Sequence, residues 1–454
     1  MSFLYSIVGF LIAIGVLVAV HEFGHFWVAR KLGVKVLTFS IGFGKPLWRK
    51  VAGVDQTEYV IGSIPLGGYV KMLGEGTEAE PVDPKEAHRA FDNQPIWKRS
   101  LIVAAGPAIN FLFAILLFML LGLQSEQRLE PIFGNVTEKS VLAESGVKAG
   151  DRLLSVDGKP ARFLAEHDLY IFNQVLKRKP IELIVDSDGS TSTVTITTAT
   201  IPIYKVNPAS LMRQLGFVGV RPLITTDIER VAVGSPAELG GLIAGDKFVS
   251  IDQTLIATWS DLISAVEPAA GQPLLITVAR GGSNVSMTIT PKSVEVGDLT
   301  YGQLGVGPKV LPPRPDQIIE INRTPLAALA HGANQTWLMS TLTLRMLGKM
   351  ITLQVSHKNV NGPLMIADVA GQAMQVGFST YLYFLALISI SLGVMNLLPI
   401  PMLDGGHLAT YVVEVFAGKR LAQKAFFAVQ PFGLLILAGL MSLAFYNDIL
   451  KIFN

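Results

Sequence analysis

The start of the chain places three ionisable side chains at the end of a continuous apolar run. Residues 3–20 carry no charged side chain, and HEFGH follows directly at residues 21–25. A membrane-spanning helix needs about 20 predominantly apolar residues, and this run has that length. Ionisable groups in such a helix are costly, and they are by default functional. The sequence therefore predicts a membrane protein with chemistry near one end of its first span.

Three further stretches have the composition of membrane spans. Hydrophobic residues make up 50% of the chain and charged residues 16%, whereas about 25% of residues are charged in an average soluble protein. We therefore predict a polytopic α-helical membrane protein with four transmembrane helices, at residues 3–29, 101–123, 381–398 and 425–445. The first lacks a basic leading segment and a small-residue cleavage site, so it is interpreted as a retained span and not as a signal peptide.

A moderately apolar segment at residues 332–353 carries Arg345 and Lys349. We interpret it as an amphipathic helix lying at the membrane surface. A fifth span is the alternative.

An internal repeat lies between the second and third stretches. SVLAESGVKAGDRLLSVDG at residues 140–158 matches SPAELGGLIAGDKFVSIDQ at residues 235–253, although Val141 stands where the second copy has Pro236. Each copy continues into a strand–turn–strand pattern and then a further strand, at residues 181–197 and 215–222, and at 274–290 and 304–310.

The repeated pattern resembles the PDZ domains of bacterial proteases. That resemblance implies two β-rich domains that bind peptide ends or strands by adding them to a sheet edge. Two small β-rich domains without a ligand are the alternative.

Charge and cysteine content narrow the function classes. The net charge of +2 gives no electrostatic argument for a nucleic-acid partner. The absence of cysteine excludes disulfides and cysteine-based zinc sites. Two short segments are rich in basic residues, which the positive-inside rule assigns to the cytoplasmic side. Both chain termini and the two repeated domains are then predicted to lie on the outer side of the membrane, which is the periplasm if the membrane is a bacterial inner membrane. The basic residues are Arg30, Lys31, Lys35, Lys98 and Arg99 in one segment, and Lys419, Arg420 and Lys424 in the other.

HEFGH has the spacing of a zinc-binding helix. His21 and His25 are four residues apart, so both imidazoles project from one face and can reach a single ion. Glu22 lies on the adjoining face, where it can act as general base and then as general acid. His21 lies about 27 Å along the helix from Phe3, which puts the site nearer the cytoplasmic face. Surface histidines beside a solvated glutamate would be the ordinary interpretation in a soluble helix.

A third zinc ligand is expected in another apolar segment, because catalytic zinc usually has three protein ligands. The stretch NLLPIPMLDGGH, residues 396–407, breaks the third span at two prolines. Asp404 and His407 are both candidates by chemistry, and Asp404 could instead be a helix N-cap.

HEFGH together with Asn396, Pro399, Pro401, Leu403, Asp404 and Gly405, which spell N-x-x-P-x-P-x-L-D-G, resembles the site-2 protease family. AAGPAINF at residues 104–111 also matches, and the resemblance covers nearly the whole chain. These proteins are intramembrane zinc metalloproteases, so the resemblance implies that Asp404 is the third Zn²⁺ ligand. It also implies hydrolysis in or beside the transmembrane segments of single-span proteins already shortened outside a bacterial inner membrane. Anti-sigma factors and signal peptide remnants are the family examples.

Residues 38–72 are strand-like with glycine turns, as expected of the family's membrane-associated β-hairpin or sheet. An edge strand at Gly67, Gly68 and Tyr69 is predicted to hold part of the substrate extended. The broken loop at Asn396 and Pro399 is predicted to hydrogen-bond the substrate backbone. Alternatively, Tyr69 is an interface aromatic and Asn396 a helix-packing residue.

Two rival functions are compatible with these features, a non-catalytic PDZ membrane scaffold and a metal transporter. The remaining histidines show no spacing typical of metal ligands and are interpreted as surface or packing residues: His88, His167, His331 and His357.

The chain is predicted to divide into these segments: 1–30 (first span), 31–96 (cytoplasmic-side loop with β-structure), 97–123 (second span), 124–222 and 223–310 (PDZ domains), 311–375 (linker with amphipathic helix), 376–416 (broken third span) and 417–454 (fourth span).

Overall fold

The computed structural model describes most of the chain, and the chain divides into two compact units. The described residues are 2–76, 82–134, 136, 140–199, 201, 212, 215, 223–296, 299–311, 317–352 and 362–453. The helical unit comprises Met1–Glu126, Ile201–Val206 and Ile321–Asn454, and the β-rich unit comprises Gln127–Thr200 and Asn207–Glu320.

The helices account for all four predicted apolar stretches and add others. In chain order they are α1 (Ser2–Lys31), α2 (Ile96–Gly122), α3 (Val141–Glu144), α4 (Asp168–Leu176), α5 (Pro236–Leu239), α6 (Trp259–Val266), α7 (Pro325–Ile351), α8 (Pro363–Val376), α9 (Phe378–Leu397), α10 (Asp404–Ala417) and α11 (Lys419–Phe453). Short 3₁₀ turns occur at Ala87–Arg89, Phe91–Asn93, Leu164–His167 and Glu267–Ala269.

The strands lie mostly between α2 and α7. They are β1 (Val36–Ala52), β2 (Thr57–Met72), β3 (Glu126–Leu129), β4 (Arg152–Val156), β5 (Lys159–Pro160), β6 (Ile181–Ser187), β7 (Ser190–Ile196), β8 (Leu223–Val231), β9 (Lys247–Ile251), β10 (Thr254–Leu255), β11 (Leu274–Arg280), β12 (Ser283–Ile289), β13 (Lys292–Val296), β14 (Leu299–Gln303), β15 (Val306–Leu311) and β16 (Ile318–Ile321).

Three helices in the described part of the chain are long and apolar enough to cross a membrane. They are Leu4–Lys31 within α1, Ile96–Gly122 and Phe378–Leu397. The predicted fourth span lies within α11, a 35-residue helix, and its crossing of the membrane stays a prediction. The predicted amphipathic segment is the greater part of α7, and the predicted linker also contains strand β16 and helix α8.

Glycines allow the helices of the helical unit to pack closely. A Cβ on Gly24 of α1 would lie 2.4 Å from the carbonyl oxygen of Ala105 on α2. A Cβ on Gly332 of α7 would lie 2.6 Å from the carbonyl oxygen of Ile115 on α2. Because no side chain stands between these backbones, α2 is held directly against both neighbours.

The predicted β-structure between the first two spans is a hairpin whose two long strands fold back on themselves. Phe39 of β1 pairs with Val70 on one side and with Tyr59 on the other, and Tyr59 also pairs with Lys50. The hairpin therefore forms four paired segments, with the segment containing Val70 at an edge. Its base packs on α1, where the rings of Phe26 and Phe39 have centroids 5.3 Å apart.

In the β-rich unit, aligned residues of the repeat make the same contacts. Asp157 and Asp252 both have a φ of 47°, and each accepts a backbone N–H from the next long strand at 2.8 Å. The two larger sheets have the orders β5-β4-β6-β7 and β12-β11-β9-β8-β15, with β10 also pairing with β9. The predicted last strand of the first copy, residues 215–222, lies largely outside the described residues.

Candidate active site

The structure brings the two histidines of HEFGH together with Asp404. His21 Nε2 and His25 Nε2 lie 3.2 Å and 3.5 Å from Asp404 Oδ2, and the two Nε2 atoms are 3.3 Å apart. Among the described residues, these three form the group able to hold a metal ion. The carboxylate at residue 404 therefore meets both imidazoles of the first helix, nearly the whole chain length away.

This cluster fits a zinc ion by its donor set and its spacing. Zinc–nitrogen and zinc–oxygen bonds of about 2.0–2.2 Å in a tetrahedral arrangement place ligand atoms about 3.3–3.6 Å apart. The observed separations are 3.2, 3.3 and 3.5 Å. Asp404 Oδ2 is also buried without a hydrogen-bond partner, which is costly unless a cation satisfies it.

Glycine at position 106 makes room for the imidazoles. A Cβ on Gly106 would lie 2.2 Å from His25 Nε2 and 2.7 Å from His21 Cε1. Both histidines thus press against the bare backbone of α2. The match at AAGPAINF signalled this helix in the sequence, although it did not assign the glycine a role.

Both histidines also have a polar contact with α2. His25 Nδ1 lies 2.8 Å from the carbonyl oxygen of Ile102, and His21 Nδ1 lies 3.1 Å from the side-chain nitrogen of Asn110. Such contacts orient the rings of metal-binding histidines. Sequence reasoning missed both, because nothing in the residue types of α2 indicates that they face α1.

Asp404 reaches the cluster through a tight turn between α9 and α10. Helix α9 ends at Leu397, before the two prolines, as the sequence predicted, and Met402 adopts a φ of 85°. A Cβ on Gly405 would lie 2.1 Å from the carbonyl oxygen of Leu398. The glycine therefore allows the chain to fold back on itself and present Asp404 at the first position of α10.

The structure does not place Asp404 as a helix N-cap or His407 among the clustered ligand candidates. Leu403, and not Asp404, occupies the N-cap position of α10. His407 lies one turn further on, where its ring packs against Phe426 with centroids 5.1 Å apart. It does not belong to the group of His21, His25 and Asp404 that the described residues form.

Two of the predicted substrate-binding residues, Gly68 and Asn396, lie beside residues of HEFGH. A Cβ on Gly68 would lie 3.0 Å from Glu22 Cγ, so the edge segment of the hairpin runs directly past Glu22. Tyr69 is 41% exposed and stacks on Phe43 with centroids 6.0 Å apart. Asn396 Nδ2 lies 3.4 Å from His21 Nε2. Pro399 lies in the turn between α9 and α10.

A buried ion pair joins α2 to α10 beyond the cluster. Arg99 donates to both carboxylate oxygens of Glu414 at 3.1 and 2.7 Å, and its guanidinium lies 4.8 Å from the centre of the Tyr411 ring. The sequence indicated Arg99 only as one of several basic residues near the membrane. In the structure it fixes α10, the helix that begins with Asp404.

The chain is similar to known proteins over nearly its whole length. The chain matches Peptidase family M50 over residues 9–440. It is 38% identical over 452 residues to Protease RseP of Yersinia pestis, covering 99% of each chain. It is 38% identical over 463 residues to Regulator of sigma-E protease RseP of Escherichia coli strain K12, again with 99% of each covered. A Vibrio cholerae relative, 36% identical over 452 residues with 99% of each covered, has a name that includes the words zinc metalloprotease.

Proposed function

This chain belongs to Peptidase family M50, and we propose that His21, His25 and Asp404 hold its catalytic zinc while Glu22 transfers the protons. The predicted enzyme class and cofactor are confirmed: the protein is a zinc metalloprotease. The observation that carries the residue assignment is the tetrahedral spacing of the three ligand atoms, 3.2 to 3.5 Å apart.

The chemistry divides between the ion and the side chains. When bound, zinc lowers the pKa of water to about 7 and polarises the scissile carbonyl. Glu22, next to His21 on α1, accepts the proton of the attacking water and then donates it to the leaving amide nitrogen. The carbonyl of Ile102 keeps the hydrogen of His25 on Nδ1, which leaves Nε2 free to bind the metal.

Substrate positioning is proposed for the hairpin edge and the turn after α9. A helical segment hides its peptide carbonyls in its own hydrogen bonds, so cleavage requires part of it to be extended. The edge at Gly67, Gly68 and Tyr69 offers backbone groups for pairing with an extended strand. Gly68 lies against Glu22, so a strand paired there would pass beside the proton-transfer group. Asn396 lies beside His21 near the end of α9, and Pro399 follows in the turn after that helix.

The substrate class follows from the membrane setting and the relatives. Apolar helices long enough to cross a membrane and relatives named as sigma-E regulators support an inner-membrane enzyme. Sigma-E regulation implies an anti-sigma factor as substrate. We propose more specifically that the substrates are single-span proteins already shortened outside the membrane, including signal peptide remnants.

The topology is proposed from charge and from the repeat. Four spans would place both termini and the β-rich unit in the periplasm, with the zinc cluster toward the cytoplasmic side. The two repeated domains are proposed to be PDZ domains. In the second, Trp259 of α6 and Tyr301 of β14 line a groove between the helix and the strands, which suits capture of a peptide end.

One experiment separates this function from a scaffold or a metal transporter. Wild type and Glu22→Gln are purified, zinc is measured in both, and a truncated single-span substrate is offered. We expect one zinc per chain in both proteins and cleavage only by the wild type. Cleavage by Glu22→Gln would remove Glu22 from the mechanism. Metal flux without tightly bound zinc would indicate a transporter.

A matched ligand variant completes the test. Asp404→Asn and His407→Asn both change residues of the same helix, but only Asp404 faces the histidines. We expect zinc to be lost in the first variant and retained in the second. The reverse result would transfer the third ligand to His407.

A further inference from the structure

Helix α2 provides a polar partner for the Nδ1 atom of each proposed zinc-binding histidine. In each ring Nε2 faces the carboxylate of Asp404, and Nδ1 faces α2. The partner of His25 is the backbone carbonyl of Ile102 at 2.8 Å, and the partner of His21 is the side-chain amide of Asn110 at 3.1 Å. Ile102 and Asn110 are two helical steps of four residues apart, so they share one face of α2.

The position of the single hydrogen on each neutral ring decides whether it can bind metal. A metal ligand must be the nitrogen without hydrogen, and the other nitrogen then donates its N–H to an acceptor. For His25 this condition is met, because a carbonyl oxygen can only accept. For His21 to bind through Nε2, its Nδ1 must carry the hydrogen and must face an acceptor.

The side-chain amide of Asn110 has an acceptor, Oδ1, but in the structure the amide is turned so that its nitrogen faces His21 instead. Its Nδ2, a donor, points to His21 Nδ1, while its Oδ1 is buried without a hydrogen-bond partner. The whole residue is 0% exposed. A half-turn of the amide exchanges Oδ1 and Nδ2 without changing the shape of the side chain. The exchange gives Oδ1 a donor and gives His21 Nδ1–H an acceptor.

We propose that Asn110 is a positioning residue whose Oδ1 accepts the Nδ1–H of His21 and thereby keeps Nε2 available for zinc. This inference rests on the proposed role of His21 as a ligand. Helix α2 then supplies the outer acceptor for both histidines, from its backbone to His25 and from a side chain to His21. Asn110 acts through His21 and does not itself touch the metal.

Two substitutions at position 110 separate hydrogen bonding from packing. Both are made in the full chain with Glu22→Gln, which prevents turnover, and zinc affinity is measured by competition with a chelator. Asn110→Asp keeps an acceptor, so we expect its affinity to stay within about threefold of the parent, whereas Asn110→Leu has none and should bind zinc about 10–100-fold more weakly. A packing role predicts the opposite order, because leucine is tolerated in an apolar site and a buried carboxylate is not.

Controls distinguish the possible failures. Ser389→Ala removes a buried hydroxyl that donates to the backbone carbonyl of Asn110 at 2.8 Å. It changes the packing around Asn110 but leaves the side-chain amide of Asn110 intact, so its zinc affinity should equal the parent's. Thermal unfolding of the metal-free proteins shows which variants fold. If Asn110→Leu does not fold, the zinc affinity of Asn110→Asp alone tests the inference.

Unchanged affinity in Asn110→Leu, or a loss of about tenfold or more in Asn110→Asp, would overturn the inference. His21→Ala serves as the reference for the site itself. If that variant kept the parent's zinc affinity, the proposed ligand set would fail, and with it the role of Asn110. If His21→Ala loses zinc but the Asn110 variants do not show the expected order, only the inference fails.

Discussion

Replacing Gly106 by alanine would test the proposed zinc site without altering a proposed ligand. The added Cβ would lie 2.2 Å from His25 Nε2, whereas real Cβ contacts essentially never fall under 3.0 Å. Either His25 or the backbone of α2 must therefore move by at least about 0.8 Å. Distances in a competent metal site vary by only about 0.2 Å, so the displacement is too large for the ion to be held.

The expected effects on metal binding and on folding differ in size. A displaced ligand should cost more than a lost outer contact, so we expect zinc affinity to fall by at least about 100-fold. Overpacking costs about 1–3 kcal/mol, and replacing glycine by alanine within a helix returns about 1 kcal/mol. The metal-free protein should therefore lose no more than about 2 kcal/mol in its free energy of unfolding.

The assay is chelator competition on the purified full chain carrying Glu22→Gln. Gly15→Ala is the matched control, because a Cβ there on α1 meets nothing within 4 Å, and its zinc affinity should be unchanged. If Gly106→Ala bound zinc as tightly as the parent protein, the packing of the histidines against α2 would not control the metal site, and our reasoning would be wrong.

Three further predictions follow from other contacts. Arg99→Met breaks an ion pair whose side chains are 6% and 10% exposed, so it should lower the free energy of unfolding by about 3–5 kcal/mol. The double variant Arg99→Met/Glu414→Leu leaves no unpaired buried charge, so thermal unfolding should show it to be less destabilised than Arg99→Met alone. Asn396→Leu should leave zinc content unchanged and slow cleavage by about tenfold, the effect of one lost hydrogen bond to substrate; unaltered kcat/KM would exclude that contact. In the β-rich unit, hydrogen bonds from Arg280 hold the pKa of Asp246 below its usual value, so their stabilisation is present at neutral pH and is lost as the pH falls through that lowered pKa. Arg280→Met should accordingly lower the thermal unfolding temperature at pH 7, and the difference from wild type should shrink below about pH 4; a difference independent of pH would contradict the assigned pair.

The sequence by itself determined the features that depend on short spacing. The four-residue interval of His21 and His25 places both on one helix face whatever the rest of the chain does. The prolines after Asn396 end helix α9 because they lack a backbone N–H and restrict the residue before them. The family and zinc-protease predictions, which rested on these two motifs, are confirmed by the match to Peptidase family M50.

Tertiary structure decided which distant groups meet. Asp404 and His407 are equal candidates by chemistry, and only the turn through Met402 and Gly405 directs Asp404 to the histidines while His407 packs on Phe426. The four-segment form of the hairpin, with its edge beside Glu22, likewise arises from strands that pair twice.

The polar contacts of α2 also depend on tertiary structure and could not be predicted from the sequence. Asn110 and Arg99 look in the sequence like one polar residue in a span and one basic residue at its end. Their partners, His21 and Glu414, are 89 and 315 residues away along the chain. Periodicity reports which face of a helix a residue occupies, but it carries no information about which other helix packs there. That choice is made by the packing of the whole unit, and so the polar partners of α2 became visible only in the folded protein.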